Sequence, residues 1–516
     1  MDHGSTELTW VGSAIFLLLG PLGCTRDQDE LTLIGAEKAD SVEVDATGGP
    51  DGESSDPDVQ SATDVSPPIG TAQKPVVREN PGNSLSCYVE WETDTPTHGS
   101  VEVKPLDSSD GSFTHRTRTP PNDVASRQHR ILVVGLYEGD WTLRAVTSST
   151  VGPAGRSEPV TWTSKPGPAA IPHGDVLVTS EGLTDDWLLT HFGRGDPNKP
   201  GSTWTAMFDR QGRLRWYRPL EGGLATLSTS VNDGTAVLMA GGAVVEEVDL
   251  SGKVLWRSPA EPEGDYNWFA RVLGSWHHEF VKLSNGNYGM LRIRPIDDAI
   301  GRVDTIEEMS PAGDVIWAFP LTTLDDAVGA FNFGSAATFD LSSGKVLYAC
   351  RNTGVVARID IASKELDWIL GEGRDFAKIG ADWEWFATPH STLLLPGGDI
   401  LLFDGGPIGV AGATRIMQLH LDEGARTAEF VWQYPPPESS DRWSSPAGGS
   451  VSRLPNGNTF IAGVEGKDGG LLEFERTRFL EVNWEHEVLF HLTLPGSALV
   501  YRASVVPAAL EPIPPS

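Results

Sequence analysis

The sequence predicts an all-β protein in which a six-bladed β-propeller follows a small β-sandwich. Three observations support this fold class. Six strand–turn–strand units end in tryptophan after residue 170, and a second hairpin unit alternates with them. Turn-forming residues are also abundant, with 57 glycines and 37 prolines among 516 residues. Short strands joined by tight turns at a repeating spacing are typical of sandwiches and propellers.

The tryptophan-terminated units predict the number of blades. Each unit is an apolar pair, a polar turn and a second apolar pair before the tryptophan, as in EEVDLSGKVLW. The six copies end at Trp216, Trp256, Trp317, Trp368, Trp432 and Trp484. Such a unit is typical of a hairpin whose second strand ends in a large apolar anchor. Six copies predict six blades over 170–508, and a long irregular sandwich is the alternative.

A second hairpin unit interleaves with the first. Its copies are SVNDGTAVLM (230–239), KLSNGNYGML (282–291), DLSSGKVLYA (340–349), LLPGGDILLF (394–403) and RLPNGNTFIA (453–462). The Asn-Gly and Gly-Gly pairs supply the positive-φ residues that two-residue hairpins require. Two hairpins per repeat give four strands, which is one propeller blade.

The N-terminal 75 residues predict export. The apolar run at 8–23 is too short to span a membrane comfortably, ends in small residues and is followed by Cys24, an arrangement that resembles a bacterial lipoprotein processing site. We therefore expect 1–24 to be a signal peptide or lipoprotein-like segment with lipid on Cys24. The protein would lie in the cell envelope, either periplasmic or membrane-anchored. The alternative is a misplaced start codon and an ordinary buried Cys24.

Amino-acid composition predicts the character of residues 25–75 and argues against some binding partners. Residues 25–75 contain twelve acidic residues and no aromatic one, which predicts a disordered acidic tether because little apolar surface can be buried. The net charge of −32 argues against nucleic acid as a partner, since phosphate backbones require Lys and Arg patches. Three cysteines far apart in sequence exclude a disulfide framework.

Residues 76–165 predict the sandwich. The run from Ser84 to Trp91 alternates with period two, a turn is expected from Asp94 to Gly99, and further strands are expected at 101–103, 131–136 and 141–146. The order of these strands resembles a fibronectin type III module. Pro166-Gly167-Pro168 marks the boundary before the propeller.

Two candidate catalytic residues are histidines at matching positions of the second repeat unit. His390 lies six residues before Pro396, and His278 lies six residues before the matching Ser284, whereas the same step from Pro455 reaches Gly449. Positions just before the innermost strand of a blade face the central channel, so both histidines are expected at one axial cavity. Structural histidines are the alternative for each.

Arg351 and several aromatic residues complete the candidate site. Arg351 ends the strand KVLYAC and is expensive to bury unpaired. Its planar guanidinium suits an anionic group, and an interblade salt bridge is the alternative. The aromatic residues would stack on an aromatic substrate or belong to the core; they are Trp276, Phe331, Phe333, Trp383, Trp385 and Phe386.

Other common catalytic motifs are absent from the sequence. It contains no HExxH, EF-hand loop, Cys-His cluster, Walker loop, GxGxxG or GxSxG. We therefore expect no metal and no other cofactor. The segment DLSGKVLW also looks like a repeat of quinone-binding propellers, but that class would require more blades and a calcium cluster.

The block LDWILGEGRDF…WEWFATPHSTLLLPGGDILLFDGG (366–406) resembles the aryl-sulfate sulfotransferase (arylsulfotransferase, ASST) family. That family shows a W-x-L-G-G…DF segment, then QH before LPNGNILLFDNG. WHHEFVKLSNGNYGML (276–291) and VLYACRNTGVVARID (346–360) resemble two further blade motifs. The resemblance covers about 175–490 and implies a six-bladed propeller with an N-terminal β-sandwich.

The resemblance also implies an activity and roles for residues. The activity is transfer of a sulfuryl group from an aryl sulfate to a phenolic acceptor, without nucleotide or metal. The nucleophilic histidine corresponds to His390, which would form a transient sulfohistidine. A second histidine, which binds sulfuryl oxygens, corresponds to His278 or alternatively His277, and the family's arginine corresponds to Arg351. The remaining substrate-binding candidates are Trp276, Asn332, Asn352 and Phe386.

One family motif is altered. The family has a histidine followed two residues later by Asn-Ser, whereas the segment here reads Phe331-Asn332-Phe333-Gly334-Ser335. Asn332 or Phe333 replaces the histidine, and Asn332 would donate a hydrogen bond but not a proton. The competing hypothesis is therefore a catalytically degenerate envelope propeller that binds a ligand or a protein.

Overall fold

A computed structural model of the chain describes residues 74–109, 112–117, 124–149, 152–193, 203–220, 231–232, 236–241, 244–259, 276–295, 302–321, 334–445, 448–467, 474–496 and 499–513. All of them fall in one compact unit, Val65–Ser516. The predicted segment 1–24 with Cys24, most of the tether 25–75, and Asn332 lie outside the described residues. None of the described helices is long and apolar enough to cross a membrane.

Nearly all regular secondary structure of the described residues is β-strand, which confirms the all-β prediction. The N-terminal module contains eight strands: β1 (Val76–Glu79), β2 (Cys87–Pro105), β3 (His115–Thr117), β4 (Ser126–Val133), β5 (Gly139–Ser149), β6 (Gly152–Arg156), β7 (Val160–Ser164) and β34 (Leu510–Pro512). They form one connected sheet path, β34-β3-β2-β5-β6, with β1 and β4 paired to β2 and β7 paired to β5. The C-terminal strand β34 thus returns to the N-terminal module.

The long strand β2 replaces the predicted turn from Asp94 to Gly99. The first part of β2 pairs with β1 and β4, its second part pairs with β5, and the register against β4 shifts between Glu92 and Thr97. The strand therefore changes partners without ending. Alternate residues of both parts, such as Val89 and Val101, are fully buried in one apolar cluster. The resemblance to a fibronectin type III module remains a prediction.

The remaining strands form six sheets in a β-propeller arrangement, and all pairings are antiparallel except that of β24 with β28. The first sheet contains β33 (Leu499–Val506), β9 (Trp187–Gly193), β10 (Thr203–Phe208) and β11 (Leu214–Pro219). The second sheet contains β12 (Val231–Asn232), β13 (Ala236–Gly241), β14 (Val244–Asp249) and β15 (Val254–Arg257). The third sheet contains β16 (Trp276–Lys282), β17 (Tyr288–Pro295), β18 (Arg302–Met309) and β19 (Val315–Pro320).

The other three sheets follow in chain order. The fourth sheet contains β20 (Gly334–Asp340), β21 (Lys345–Cys350), β22 (Val355–Asp360) and β23 (Leu366–Leu370). The fifth sheet contains β25 (Pro389–Leu394), β26 (Ile400–Asp404), β27 (Arg415–Asp422) and β28 (Thr427–Tyr434), with β24 (Ala377–Ile379) at the edge. The sixth sheet contains β29 (Gly449–Arg453), β30 (Thr459–Gly466), β31 (Phe474–Val482) and β32 (Val488–Pro495), with β8 (Asp175–Thr179) at the edge.

Five of these sheets are full blades, so the prediction of six full blades is wrong. In the sheet β12–β15, the first strand has only two described residues, and these pair with Val237 and Ala236. Five of the six tryptophan units mark the third and fourth strands of a sheet, whereas the sixth covers β31 and ends with Trp484 in the turn before β32. Their count therefore predicts the number of outer hairpins and carries no information about the length of the first strand.

The first strands of the full blades contact one another around the centre. β16, β20, β25, β29 and β33 follow in this order. Small hydroxyl side chains connect them: Thr338 donates to the carbonyl of Thr392, and Ser450 donates to the carbonyl of Ala503. Strand β33, near the C-terminal end of the described chain, pairs with β9. It therefore completes the sheet that contains β9, β10 and β11.

The repeated tryptophans connect neighbouring blades. The indole nitrogen of Trp216 donates to the carbonyl of Leu250, and that of Trp317 donates to the carbonyl of Ile361, each in the turn of the next sheet. Trp256 and Trp432 make the equivalent bonds to Pro311 and Trp484. A large apolar ring with one donor fits this position because it buries area and satisfies an exposed turn carbonyl.

Gly449 generates a stability prediction. A Cβ at this position would lie 2.2 Å from Cζ of Phe403, a ring that is fully buried. Gly449→Ala should therefore lower the free energy of unfolding by about 1–3 kcal/mol through overpacking. Denaturant unfolding measures this. Gly424→Ala is the matched control, since its nearest contact would be 3.4 Å away, and equal losses in both variants would contradict the packing argument.

Candidate active site

The candidate residues lie where the inner strands leave regular pairing. Register shifts occur between Trp276 and Phe280 in β16, between Gly334 and Ala336 in β20, between Pro389 and Ser391 in β25, and between Val500 and Ala503 in β33. The residues inside these shifts are His277, His278, Glu279, Ser335, His390, Tyr501 and Arg502. β-Bulges re-aim side chains and recur beside active sites. Four inner strands therefore present their irregular residues to one central region.

Tyr501 connects the two predicted histidines. Its ring centroid lies 4.9 Å from that of His278 and 6.2 Å from that of His390, edge-on in both cases. The Tyr501 hydroxyl donates to the carbonyl of Ser335 at 3.1 Å. Burial raises the pKa of Tyr501 to about 12, although the charges of Arg502 and Arg351 act to lower it. Tyr501 is therefore a neutral phenol at physiological pH.

His278 is held in an unusual backbone conformation and stays neutral. Its φ is +62°, a region that non-glycine residues rarely adopt and that is often found at functional sites. Its Nδ1 lies 2.7 Å from Nδ1 of His277. Burial holds the pKa of His278 well below its usual value, and electrostatic interactions with His277, Arg502, His390 and Arg351 lower it further.

The second ring nitrogen of His277 lies near a buried carboxylate. Its Nε2 lies 3.4 Å from Oδ1 of Asp304 on β18. The other carboxylate oxygen of Asp304 accepts the backbone N–H of Gly334 at 2.6 Å and the hydroxyl of Tyr348 at 3.5 Å. His277, Asp304 and Tyr348 are all almost completely buried. Asp304 was not predicted, and no sequence motif marks it.

Arg351 follows β21 directly, as predicted. Its Nε and Nη2 are buried, and neither has a hydrogen-bond partner among the described residues. Burial lowers the pKa of Arg351 while the nearby Tyr501 acts to raise it, but arginine keeps its charge in proteins. The interblade salt bridge considered as the alternative is therefore not formed by the part of the chain described. Unsatisfied guanidinium donors whose charge acts on His278 and Tyr501 suit an anionic ligand.

Arg502 holds the inner strands together. Its Nη1 donates to Oε2 of Glu279 on β16, and its Nη2 donates to the carbonyl of Ser335 on β20 and to that of His390 on β25, the latter at 3.0 Å. Burial acts to lower the pKa of Arg502, but Glu279 and Tyr501 raise it above its usual value. Sequence reasoning missed Arg502 because β33 lies beyond both repeat units.

The backbone before His390 is organised by Asp404. One oxygen of this fully buried carboxylate accepts the backbone N–H groups of Ala387, Thr388 and Gly406. Its other oxygen lies 3.1 Å from Nε of Arg415. Asp404, the aspartate of the FDGG motif, thus fixes the backbone at the start of β25, the strand that carries His390.

The predicted substrate-binding residues Trp276, Phe386 and Asn352 lie in apolar clusters or at the surface. Trp276 is 1 % exposed in an apolar cluster and stacks under Arg292, and Phe386 is 3 % exposed in the cluster around Trp368. Asn352 is exposed in the turn after Arg351. Clefts lined by Tyr137 and Arg213 lie at the junction of the N-terminal module and the propeller and include none of these residues.

Residues 335–502 match the Arylsulfotransferase (ASST) family. The family prediction is confirmed for this segment. The matched residues include Arg351, His390 and Tyr501, whereas His277 and His278 precede them. No protein with a curated description matches the chain.

Solved structures with similar architecture come from several sources. A protein of unknown function from Bacteroides caccae has 16 % identity and a TM-score of 0.41, covering 63 % of this chain and 99 % of its own. A putative 6-phosphogluconolactonase from Bacteroides fragilis has 12 % identity and a TM-score of 0.34, covering 80 % and 98 %. Similarity at this level carries no information about activity.

The ion pair of Arg502 and Glu279 generates a second prediction. Glu279→Gln removes the carboxylate and leaves a buried, uncompensated guanidinium, so the free energy of unfolding should fall by about 3–5 kcal/mol. Chemical denaturation measures the loss. Glu423→Gln is the matched control, because its bridge to Arg358 lies at the surface and should contribute less than about 1 kcal/mol. A comparable loss in the control would contradict the assignment.

Proposed function

We propose that this protein is an exported arylsulfotransferase that moves a sulfuryl group from an aryl sulfate to a phenolic acceptor through a sulfohistidine on His390. The observation that carries the proposal is the cluster of His390, His278 and Arg351 around Tyr501. Two of the three lie inside the segment that matches the family. No nucleotide is required, since the donor carries the activated group itself.

The electrostatics of the cluster support transfer of an anionic group. Sulfuryl transfer spreads negative charge over the nonbridging oxygens, and fixed cationic donors lower the barrier. Arg351 supplies such donors, because its buried Nε and Nη2 have no partner among the described residues. Splitting the reaction through a covalent intermediate on His390 converts one difficult step into two easier ones.

The proposed sulfuryl transfer has two steps. In the first step an imidazole nitrogen of His390 attacks sulfur, the S–O bond to the aryl group breaks, and the aryloxide leaves with the electron pair. In the second step the acceptor oxygen attacks the same sulfur, and the S–N electrons return to His390. In-line attack requires the nitrogen within about 3–3.5 Å of the sulfur.

Substitutions of His390 and Arg351 test the proposal. His390→Ala should abolish transfer from 4-nitrophenyl sulfate to phenol, together with the sulfo-adduct in an intact-mass spectrum. Arg351→Lys should reduce the rate by about 10²–10³, since a point charge does not replace a planar fork of donors. His420→Asn, on the exposed end of β27, is the control and should keep wild-type activity. Full transfer by His390→Ala would contradict the proposal.

One observation favours a second candidate function. The family motif that supplies a third histidine reads Phe331-Asn332-Phe333 here, so a proton donor or acceptor is missing. The second candidate is a degenerate propeller that binds an anionic aromatic ligand or a protein in the cell envelope. It predicts no transfer from any aryl sulfate by the wild-type protein, whereas the first candidate predicts turnover.

Localisation is proposed from the N-terminal sequence alone. The apolar run at 8–23 followed by Cys24 supports export and lipid attachment, with the acidic segment 25–75 as a tether and the lipid as the contact with the membrane. Cys24→Ala should therefore move the protein from the membrane fraction to the soluble fraction, which fractionation and immunoblotting measure. Cys87→Ala is the control, because Cys87 is buried in the sandwich. Unchanged membrane association of Cys24→Ala would remove the lipid anchor from the proposal.

A further inference from the structure

A cleft at the junction of the N-terminal module and the propeller is lined by aromatic rings and arginines. We call it the junction cleft. Its volume is about 170 Å³, and a cavity of roughly 150 Å³ is large enough to hold a benzene ring. No residue of the candidate active site lines it. Its three aromatic residues and three arginines are Tyr137, Trp141, Trp187, Arg210, Arg213 and Arg215.

The junction cleft contains two guanidinium groups that share one carboxylate. The Nε atoms of Arg213 and Arg215 donate to the same oxygen of Asp209, Oδ2, at 2.8 and 2.7 Å. The other oxygen of Asp209 accepts the backbone N–H groups of Gln211 and Arg213. Two positive charges are therefore compensated by one negative charge, in a protein whose net charge is −32.

The other ionisable residues of the junction cleft do not cancel this positive charge. Arg210 has its own ion pair, since its Nη2 lies 2.8 Å from Oε2 of Glu481. The side chain of Asp185 is 71 % exposed and lies 4.0 Å from Nε2 of His115, so water screens its charge. Burial lowers the pKa of His115, Asp185 acts to raise it and Arg215 lowers it further, so that this imidazole is neutral at neutral pH.

The two guanidinium groups are held in place and still have donors to offer. Arg213 stacks on the ring of Tyr137 at 4.0 Å, and its Nη2 donates to Oε1 of Gln211. Nη1 of Arg215 donates to the carbonyl of Gly135 at 2.6 Å. Nη1 of Arg213 and Nη2 of Arg215 make no hydrogen bond to the described residues. An anion that binds these donors would not have to order the side chains first, which lowers the cost of binding.

The aromatic walls of the junction cleft are also fixed. Trp141 is 2 % exposed and Trp187 is 3 % exposed. The indole nitrogen of Trp141 donates to the carbonyl of Tyr137 at 3.0 Å, and the two rings meet edge-on at 4.7 Å. Trp187 packs so closely on Gly135 that a Cβ there would lie 1.9 Å from its ring. Rigid aromatic walls of this kind favour a flat apolar ligand group.

We infer that the junction cleft binds a small aromatic anion, a single ring that carries one carboxylate. The carboxylate would accept hydrogen bonds from Arg213 and Arg215, because a guanidinium matches a carboxylate in charge and in planar geometry. The ring would pack against Trp141 and Trp187. The inference does not depend on the proposed function, since it concerns a different part of the molecule and requires no sulfuryl transfer.

Binding to the full chain tests the inference directly. Isothermal titration calorimetry with benzoate should show one site with a Kd below about 1 mM. Benzamide has almost the same shape but no charge and should bind at least about tenfold more weakly, since a charge-assisted hydrogen bond contributes more than a neutral one. Absence of saturable benzoate binding, or equal affinity for benzamide, would overturn the inference.

Two substitutions locate the bound benzoate. Arg213→Gln removes a cationic donor whose side chain is 39 % exposed, so the fold should persist while the Kd rises about tenfold or more. Ala508→Leu keeps both guanidinium groups but adds volume to a residue that lines the junction cleft, and it should also weaken binding. Arg130→Gln is the matched control, because Arg130 stacks on Tyr88 at the same distance of 4.0 Å outside this cleft. An unchanged Kd in both cleft variants would contradict the assignment.

A third substitution separates the junction cleft from the candidate active site, which also contains an arginine suited to anions. Arg351→Ala should leave the calorimetric site for benzoate unchanged, whatever its effect on sulfuryl transfer. Loss of binding in Arg351→Ala with normal binding in Arg213→Gln would place benzoate in the candidate active site and reject the inference. A wild-type protein that binds benzoate in the junction cleft but transfers no sulfuryl group would reject the proposed function alone.

Discussion

The guanidinium of Arg502 is the contact on which the centre of the propeller depends. It forms an ion pair with Glu279 on β16 and donates to carbonyls of β20 and β25, so one side chain of the last inner strand reaches three others. The carbonyls are those of Ser335 and His390, both inside bulges, where the interruption of regular pairing leaves backbone acceptors open. A charged, planar donor with several N–H groups can satisfy such divergent acceptors at once.

The same contact explains how cations are tolerated in a buried region. Glu279 compensates Arg502, so that Arg502 is a structural charge, whereas Arg351 retains donors without partners in the part of the chain that is described. Burial, together with the charges of the two arginines, lowers the pKa of His278 and keeps the ring neutral. The region therefore combines one uncompensated positive charge with neutral imidazole and phenol groups, which is the electrostatic arrangement that an anionic transition state requires.

The C-terminal residues join the two modules of the chain. β33 supplies the first strand of the blade that contains β9, and β34 pairs with β3 in the N-terminal sheet. Tyr501 and Arg502 lie in a bulge of β33, only a few residues before β34. Tyr501 and Arg502 therefore lie close to the point where the chain leaves the propeller and returns to the N-terminal sheet.

Repeats in the sequence determined the strands, the hairpins and the candidate residues His390, His278 and Arg351, because period-two alternation and turn residues are local properties. They could not predict the continuous β2, since pairing length depends on partners distant in sequence. They also could not indicate Asp304, Glu279 or Arg502. Each of these residues acquires its role from a bulge or from a contact between blades, and a bulge is decided by how strands meet in space, which tertiary structure alone sets.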